Sequence, residues 1–331
     1  MDTTQAVEVE ARVRWRGRTS LGLGEAACLP PVTRETQEDV LRELGGHPSE
    51  TGAVAAPRFD ISALDGLRPV ARAGLETAVL DAMARLGGVP LRAFLDSQRG
   101  WQTTTLETDV TVAIADHPKM AALAREWAQR GFRSLKVKVG KDVDADVRAL
   151  EAIARAAPQA TLRVDANAGY TPAQALALAR ACERIEIPVE CWEQPCAADD
   201  LDGMAQVAAE LDEPVVADES VKTLADLRAI VAKKAADGVN LKLAKLGGFE
   251  AALALGLEAQ RAGLKIMVGG MVETRLGMTA AAHLACALGG ADFVDLDTAW
   301  LLAFDPYAGG YVAEGPRYFM PSTPGLGIER K

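Results

Sequence analysis

Three acidic residues and two lysine positions recur at near-equal intervals through the second half of this sequence. Each of them closes an apolar, strand-like run, and the intervals between them are 24 to 28 residues long. One strand followed by one helix has that length in a (β/α) barrel, where catalytic groups gather at the carboxyl ends of the strands. We therefore expect one barrel mouth to be ringed by Lys138, Asp165, Glu193, Asp218 and Lys242.

The three acidic positions predict a metal site. Asp165, Glu193 and Asp218 would bring three carboxylates together, which raises their pKa values unless a cation is bound between them. Oxygen ligands without histidine or cysteine favour a hard cation, so we predict Mg²⁺, with Mn²⁺ as the second choice. Cys191 and Cys196 flank Glu193 and offer an alternative ligand set, but zinc sites use tighter cysteine spacing.

The lysines predict proton transfer at carbon. Lys136 and Lys138 are two positions apart on one strand, so both point into the barrel. Their mutual repulsion and a nearby cation should lower their pKa values, so that one of them can accept a proton. Lys242 can face the other side of a substrate whose carboxylate binds the cation. We predict removal of an α-proton by one lysine, an enolate stabilised by the cation, and reprotonation by the other lysine with inversion. The alternative is that Lys138 and Lys242 only neutralise the metal-binding carboxylates.

The elements that must position these residues alternate between strand and helix over residues 106–300. Eight apolar runs, separated by seven amphipathic stretches, predict the α/β class and a (β/α)7β modified TIM barrel. Residues 1–105 combine a hairpin pattern with helical stretches and predict an α+β capping domain. The Gly- and Pro-rich residues 301–331 should return to this cap instead of forming an eighth barrel helix.

Composition and charge narrow the function classes. The chain has 331 residues, of which 49% are hydrophobic and 25% charged, and its formal net charge is −10. That charge argues against nucleic acid or an anionic membrane as a partner. No stretch reaches the ~20 apolar residues of a membrane helix. The N-terminus lacks a signal-peptide pattern, so we expect a cytoplasmic protein. None of the three histidines ends a strand-like run, which argues against histidine catalysis.

Several short motifs resemble the muconate-lactonising subgroup of the enolase superfamily. They are Lys136-Val137-Lys138, Glu193-Gln194-Pro195, Asp218-Glu219-Ser220 and Lys242, with the cap helix at residues 75–81 and the closing Pro324-Gly325-Leu326-Gly327. The resemblance covers nearly the whole chain. It implies that Lys136, Thr111 and the stretch Gly270-Met271-Val272 contact substrate. It also implies that Asn167 and Glu219 are hydrogen-bonding partners of the metal ligands.

The eighth strand points to one activity within this subgroup. Asp295-Leu296-Asp297 places two carboxylates on one face of that strand, where they can bind a cationic group of a substrate. This pair resembles the DxD of dipeptide epimerases, which holds the α-ammonium group of the peptide. The implied activity is epimerisation of a dipeptide at the α-carbon of its C-terminal residue. L-Ala-D/L-Glu is the first choice because it is the common activity of the family, and a homo-oligomer is expected.

Other functions share the fold. An N-acylamino acid racemase, an o-succinylbenzoate synthase or a muconate cycloisomerase would act on a substrate without a free ammonium group, which would leave Asp295 and Asp297 without a partner. A non-catalytic descendant with a relic site is the remaining alternative. Its support is a departure from the family pattern, because the hairpin begins almost at Met1. We therefore expect the cap to lack the usual first strand and lid loop, which leaves the side-chain preference of the dipeptide open.

Overall fold

The N-terminal part of the chain forms a hairpin packed against helices. The computed structural model describes residues 6–30, 32–45, 64–95, 103–140 and 142–331. The first elements are β1 (Ala6–Trp15), β2 (Arg18–Ala27), α1 (Gln37–Gly45), α2 (Pro69–Gly87), α3 (Leu91–Leu95) and β3 (Thr105–Glu107). The predicted absence of a strand and lid concerns the chain ahead of Ala6, which lies outside the described residues.

Two glycines of β2 allow α2 to lie directly on the hairpin. A Cβ atom at Gly22 would lie 2.0 Å from the Ala78 carbonyl oxygen, and one at Gly24 would lie 2.0 Å from the Gly74 carbonyl oxygen. Only residues without a side chain permit this approach. The Gly22-Leu23-Gly24 sequence therefore serves helix packing.

The centre of the molecule is a parallel barrel, as predicted. Its strands are β4 (Val110–Val112), β5 (Ser134–Lys138), β6 (Thr161–Asp165), β7 (Val189–Glu193), β8 (Val215–Ala217), β9 (Gly238–Leu241), β10 (Lys265–Gly269) and β11 (Phe293–Asp295). Each strand pairs in parallel with the next one along the chain, so that β4 and β11 are the ends of the order. The backbone amide of Asp109 donates to the Val294 carbonyl oxygen at 3.0 Å and joins these two ends.

Helices follow the strands in the predicted alternation. They are α4 (His117–Gln129), α5 (Val143–Ala156), α6 (Pro172–Arg184), α7 (Leu201–Glu210), α8 (Leu224–Lys233), α9 (Leu243–Leu246), α10 (Phe249–Arg261) and α11 (Arg275–Ala287). Side-chain oxygens at the start of several helices accept from amides of the first turn, namely those of Asp116, Asp142, Thr171, Asp200 and Thr223. The short α9 was not predicted, because four residues are too few to display a helical period.

The C-terminal tail runs beside both the barrel and the cap. It contains α12 (Thr298–Leu301), β12 (Tyr307–Gly309), β13 (Val312–Glu314), β14 (Arg317–Phe319) and β15 (Ile328–Arg330). β14 pairs with β3, and β12 pairs with β15. The Leu326 amide donates to Asp81 of α2 at 2.7 Å, and Arg330 pairs with Glu8 of β1 at 2.7 Å. These bonds attach the tail to the cap.

The barrel interior beneath the mouth is packed with side chains. Cys191, Val216, Met267 and Phe293 form a buried apolar cluster there. A packed interior of this kind leaves the carboxyl ends of the strands as the surface for a site. In the part of the chain that the structure describes, no helix has the length and apolar character needed to span a bilayer.

Candidate active site

The three predicted acidic residues lie at the carboxyl ends of neighbouring strands. Asp165 of β6 is paired in register with Glu193 of β7, and Asp218 directly follows β8. All three are buried, with at most 1% of the residue surface exposed. The strand alignment therefore brings the carboxylates into one mouth, as the spacing along the sequence predicted.

The lysines contact these carboxylates directly. Lys136 Nζ lies 2.7 Å from Glu193 Oε2 and 3.1 Å from Asp165 Oδ2. Lys138 Nζ donates to Asp165 Oδ2 at 2.5 Å. Lys242 Nζ donates to Asp218 Oδ2, also at 2.5 Å. The ammonium groups and the acids thus form one continuous ionic cluster.

Lys138 and Lys242 come from opposite sides of the barrel. β5 and β9 are four positions apart in the order of eight strands, so they face each other across the mouth. The two lysines also differ in exposure, since 29% of the Lys138 side chain is accessible but only 7% of the Lys242 side chain. A small molecule held between them would present one face to each amine.

Two polar residues of the site were not predicted from the sequence. Asn240 Nδ2 donates to Glu193 Oε1 at 2.9 Å, and Lys245 Nζ donates to the Asp218 carbonyl oxygen at 2.7 Å and contacts its carboxylate. Asn240 of β9 precedes Lys242 by two positions in the predicted strand-like run, so strand alternation could have placed both on one face. Lys245 reaches the site from α9, the helix that the pattern did not predict.

The acids differ strongly in their ionisation. Burial alone would raise the pKa of Asp165, but the charges of Lys138 and Lys136 outweigh it and hold that pKa at about 2. Burial, followed by the charge of Asp165, raises the pKa of Glu193 to about 7. Glu193 is therefore the carboxylate that would gain most from an added positive charge.

The predicted lowering of the pKa is reversed at Lys136. Burial alone would lower the pKa of Lys242, but the Asp218 carboxylate reverses this and raises it above the ordinary value. The pKa of Lys136 is raised in the same way, chiefly by Asp295 and Glu193. The repulsion between Lys136 and Lys138, on which the prediction was based, is outweighed at Lys136 because its ammonium group lies 2.7 Å from both Glu193 and Asp295.

The donor set fits a hard divalent cation. Glu193 Oε2 is buried and makes no hydrogen bond, although Lys136 Nζ lies close to it. A buried carboxylate oxygen without a hydrogen bond is costly and is stabilised by a metal ion. Within the described ranges no three acidic, histidine or cysteine side chains form a ready-made metal centre. Ammonium groups lie against Asp165 and Asp218, and the assignment of Asp165, Glu193 and Asp218 as metal ligands stays a prediction.

Asp295 and Asp297 lie on the β11 side of the mouth. Asp295 Oδ2 is 2.7 Å from Lys136 Nζ, and Asp297 Oδ2 accepts from the Thr111 amide at 2.5 Å. Burial would raise the pKa of Asp295, but the charge of Lys136 lowers it below the ordinary value. Burial and the charge of Asp295 raise the pKa of Asp297 to about 6. The pair thus presents negative charge that an incoming ammonium group would stabilise.

Asn167 and Glu219 lie next to the predicted ligands. The Asn167 amide donates to Asp165 Oδ1 at 2.9 Å, and its side-chain Nδ2 donates to Glu219 Oε1 at 3.1 Å. Asn167 has a φ of 43°, a left-handed conformation that asparagine adopts more readily than most residues. Asn167 thus contacts the predicted ligand Asp165 directly, and Glu219 contacts Asn167. The roles of both residues beside a metal ion stay predictions.

The loop after β10 is partly covered by the cap. Met271 is buried and packs with Ala27 and Ala244, beside Leu29 and Val32 of the cap. Gly270 and Val272 flank Met271 in the chain. Buried packing is the observed role of Met271, and substrate contact by residues 270–272 stays a prediction.

A buried carboxyl pair connects cap and barrel beside this loop. Glu25 of β2 accepts from the amides of Thr274 and Gly277 at 3.0 Å each, at the start of α11. Burial, followed by the charge of Glu25, raises the pKa of Glu273 to about 8 from its ordinary value of 4.5. A raised pKa means that the folded state holds this proton more tightly than the unfolded chain.

The free energy of unfolding should therefore fall as the pH rises. The contribution of Glu273 is fully present below pH 4.5 and is lost as the pH approaches and passes 8. For one proton the slope is at most about 1.4 kcal/mol per pH unit. In urea titrations between pH 5 and 9, we expect Glu273→Gln to flatten this dependence, whereas the exposed Glu329→Gln should not change it. An unchanged slope in the Glu273 variant would contradict the assignment.

Eight parallel strands with acids and lysines at their carboxyl ends define a barrel of the enolase type. The chain belongs to the Enolase C-terminal domain-like family, whose profile matches residues 119–331. This finding confirms the resemblance and the fold class that the motifs predicted.

Known proteins resemble the chain over most of its length. It is 39% identical over 317 residues to an aromatic dipeptide epimerase from Herpetosiphon aurantiacus, covering 93% of this chain and 87% of that protein. The structure of a substrate-liganded L-Ala-D/L-Glu epimerase from Bacillus subtilis superposes with a TM-score of 0.88 at 31% identity, covering 99% of both chains. A dipeptide epimerase from Enterococcus faecalis, complexed with Mg and the dipeptide L-Leu-L-Tyr, superposes with a TM-score of 0.85 at 29% identity, covering 100% of both chains.

Proposed function

We propose that this protein is a Mg²⁺-dependent dipeptide epimerase that inverts the α-carbon of the C-terminal residue. The observation that carries the proposal is the placement of Lys138 and Lys242 on opposite strands of a mouth lined by buried carboxylates. Two amines on opposite faces of a carbon fit inversion, because one can remove a proton while the other supplies one. The names of the similar proteins support the same reaction class.

Different residues of the site would bind the substrate and transfer the proton. Asp295 and Asp297 would bind the α-ammonium group of the dipeptide through charge-assisted hydrogen bonds. Binding there would place the C-terminal α-carbon between Lys138 and Lys242. One lysine, in its neutral form, takes the α-proton and becomes an ammonium group. The other, already protonated, donates a proton to the opposite face and becomes neutral, so the charge of the site is unchanged by turnover.

A metal ion would complete this site. Asp165, Glu193 and Asp218 would hold Mg²⁺, which, when bound, would withdraw electron density from the substrate carboxylate and make the α-proton more acidic. Asn167, Glu219 and Asn240 would keep the three carboxylates in place. Mn²⁺ offers similar oxygen coordination and is the alternative metal.

The preferred dipeptide is a finer proposal. L-Ala-D/L-Glu stays the first candidate, and an aromatic dipeptide is the second, since relatives with these two activities resemble the chain. The alternative substrates lack a free ammonium group and would offer Asp295 and Asp297 no cationic group to bind. We also propose that the protein is a cytoplasmic homo-oligomer, an expectation drawn from the sequence alone.

Exchange of the α-proton tests the proposed reaction. The protein, loaded with Mg²⁺, would be incubated in D₂O with a panel of dipeptides and with the same peptides N-acetylated, and deuterium at the α-carbon followed by NMR. We expect exchange and inversion for dipeptides with a free ammonium group. Exchange of the acetylated peptides alone would favour an N-acylamino acid racemase, and no exchange with metal bound would favour a relic.

Removal of the metal should abolish activity. EDTA is expected to reduce turnover to background, because no cation would then withdraw electron density from the substrate carboxylate and make the α-proton more acidic. Added Mg²⁺ should restore turnover, and Mn²⁺ is tested in parallel. As a binding control, isothermal titration should detect one Mg²⁺ site that Glu193→Gln weakens. Activity that is insensitive to the chelator would contradict the ligand assignment.

A further inference from the structure

The two proposed bases are held in unequal surroundings. Lys242 is nearly enclosed, and the short α9 follows it immediately. Lys138 is the last residue of β5, and its side chain is four times more exposed. Among described residues, its ammonium group forms an ion pair with Asp165. The position of Lys138 therefore depends on how the chain just beyond β5 is held.

A buried phenol holds that part of the chain. The Gly140 amide donates to Tyr170 Oη and to Asp146 Oδ2, each at 3.1 Å. Tyr170 Oη in turn donates to Asp146 Oδ2. Between Lys138 and Gly140, the Val139 amide donates to the Asp165 carbonyl oxygen at 2.9 Å. The two residues after the lysine are thus fixed by hydrogen bonds to the next loop.

The approach of the two loops is too close for a side chain. Gly140 has a φ of 110°, and a Cβ atom there would lie 2.5 Å from the Ala166 carbonyl oxygen. A larger residue at this position would therefore push the chain after β5 away from the loop after β6. The backbone next to Lys138 is therefore closely packed against the loop after β6.

Tyr170 is itself anchored to a different part of the barrel. Its side chain is buried, and its amide donates to the Pro195 carbonyl oxygen at 3.1 Å, in the segment that follows β7. The hydrogen bonds of Tyr170 thus connect the loop after β6 and the segment after β7 to the end of β5. Nothing in this set of bonds reaches β9, where Lys242 lies on the far side of the mouth.

We propose that Tyr170 is a positioning residue for Lys138 alone. Its hydrogen bonds to Gly140 and Asp146 set the height and direction of the strand end from which Lys138 reaches the substrate. The inference rests on the proposed two-base reaction. In such a reaction each isomer of the substrate presents its α-proton to one lysine, so a disturbance of one base slows proton removal from one isomer only.

Tyr170→Phe is the direct test, since it removes the hydroxyl and keeps the ring. Tyr307→Phe is the matched control, because Tyr307 is equally buried and donates to a carboxylate, Glu8, in the cap. The α-proton exchange of each isomer would be measured separately in D₂O with Mg²⁺ and a dipeptide that the wild-type protein turns over. Lys138→Ala identifies the isomer that Lys138 deprotonates, as the one whose exchange is lost.

We expect Tyr170→Phe to slow exchange of that isomer by about tenfold, as small displacements of catalytic groups do. Exchange of the other isomer should stay at the wild-type rate, and Tyr307→Phe should affect neither. Gly140→Ala should produce the same asymmetry with a larger loss, because it displaces the strand end directly.

Equal slowing of both isomers by Tyr170→Phe would overturn the proposal, since that result indicates a general structural role. Wild-type rates for both isomers would also overturn it. A wild-type protein that exchanges no dipeptide is a different outcome, because it removes the proposed function on which the inference rests.

Discussion

Replacing either Lys138 or Lys242 by alanine should abolish interconversion of the dipeptide isomers. Each lysine would serve as base for one isomer and as acid for the other, so inversion needs both in either direction. Loss of a general acid or base costs about 10²–10⁴-fold in rate. The measurement is the time course of optical rotation or chiral chromatography, starting from each isomer.

Proton exchange separates the roles of the two lysines. Lys138→Ala should still exchange the α-proton of the isomer that faces Lys242, without inverting it, and Lys242→Ala should show the opposite preference. This follows because the remaining amine can remove a proton and return deuterium to the same face. Lys119→Ala, on the exposed side of α4, is the matched control and should behave as wild type. Interconversion by both single variants would rule out a two-base reaction.

Removing negative charge from the β11 side should weaken recognition of the free amino terminus. Asp297→Asn is the cleaner change, since the amide oxygen can still accept from the Thr111 backbone while the carboxylate charge is lost. A hydrogen bond to a charged group contributes about 1.5–3 kcal/mol, so we expect kcat/KM for the dipeptide to fall by about 10- to 150-fold. Most of this change should be in KM, because the ammonium group does not react.

Asp295→Asn should have a larger effect. Its carboxylate also lies 2.7 Å from Lys136 Nζ, so the substitution leaves a buried ammonium group less compensated. The affinity for Mg²⁺, measured by calorimetry, shows whether the substitution also disturbs the predicted ligands Asp165, Glu193 and Asp218. Asp212→Asn, an exposed position, controls for the chemical change itself. Unchanged kcat/KM in both Asp295→Asn and Asp297→Asn would contradict the dipeptide assignment.

Much of the barrel could be predicted because its repeat is local. Apolar runs with polar residues at their ends recur at the length of one strand and one helix, and the structure aligns Asp165 with Glu193 in adjacent strands as that repeat required. Exceptions occur where the repeat is interrupted. The short α9 brings Lys245 to Asp218, and no periodic pattern extends over so few residues.

Contacts between distant segments could not be predicted in the same way. Glu25 and Glu273 are far apart in the chain, and nothing at either position reveals that a cap strand meets the start of α11. The ionisation of the lysines is a similar case. The spacing of Lys136 and Lys138 indicated lowered pKa values, but the carboxylates of Asp295 and Glu193 raise the pKa of Lys136.

The sequence by itself determined the kinds of group at the mouth and the order in which strands deliver them. Residue type and spacing are local properties, so carboxylates, lysines and the Asp295/Asp297 pair could be assigned to strand ends. Only the tertiary structure decided which carboxylate pairs with each lysine and that Tyr170 holds the strand end beside Lys138. Those relations arise when the sheet curves into a barrel, because that curvature brings residues far apart in the chain into contact around one cavity.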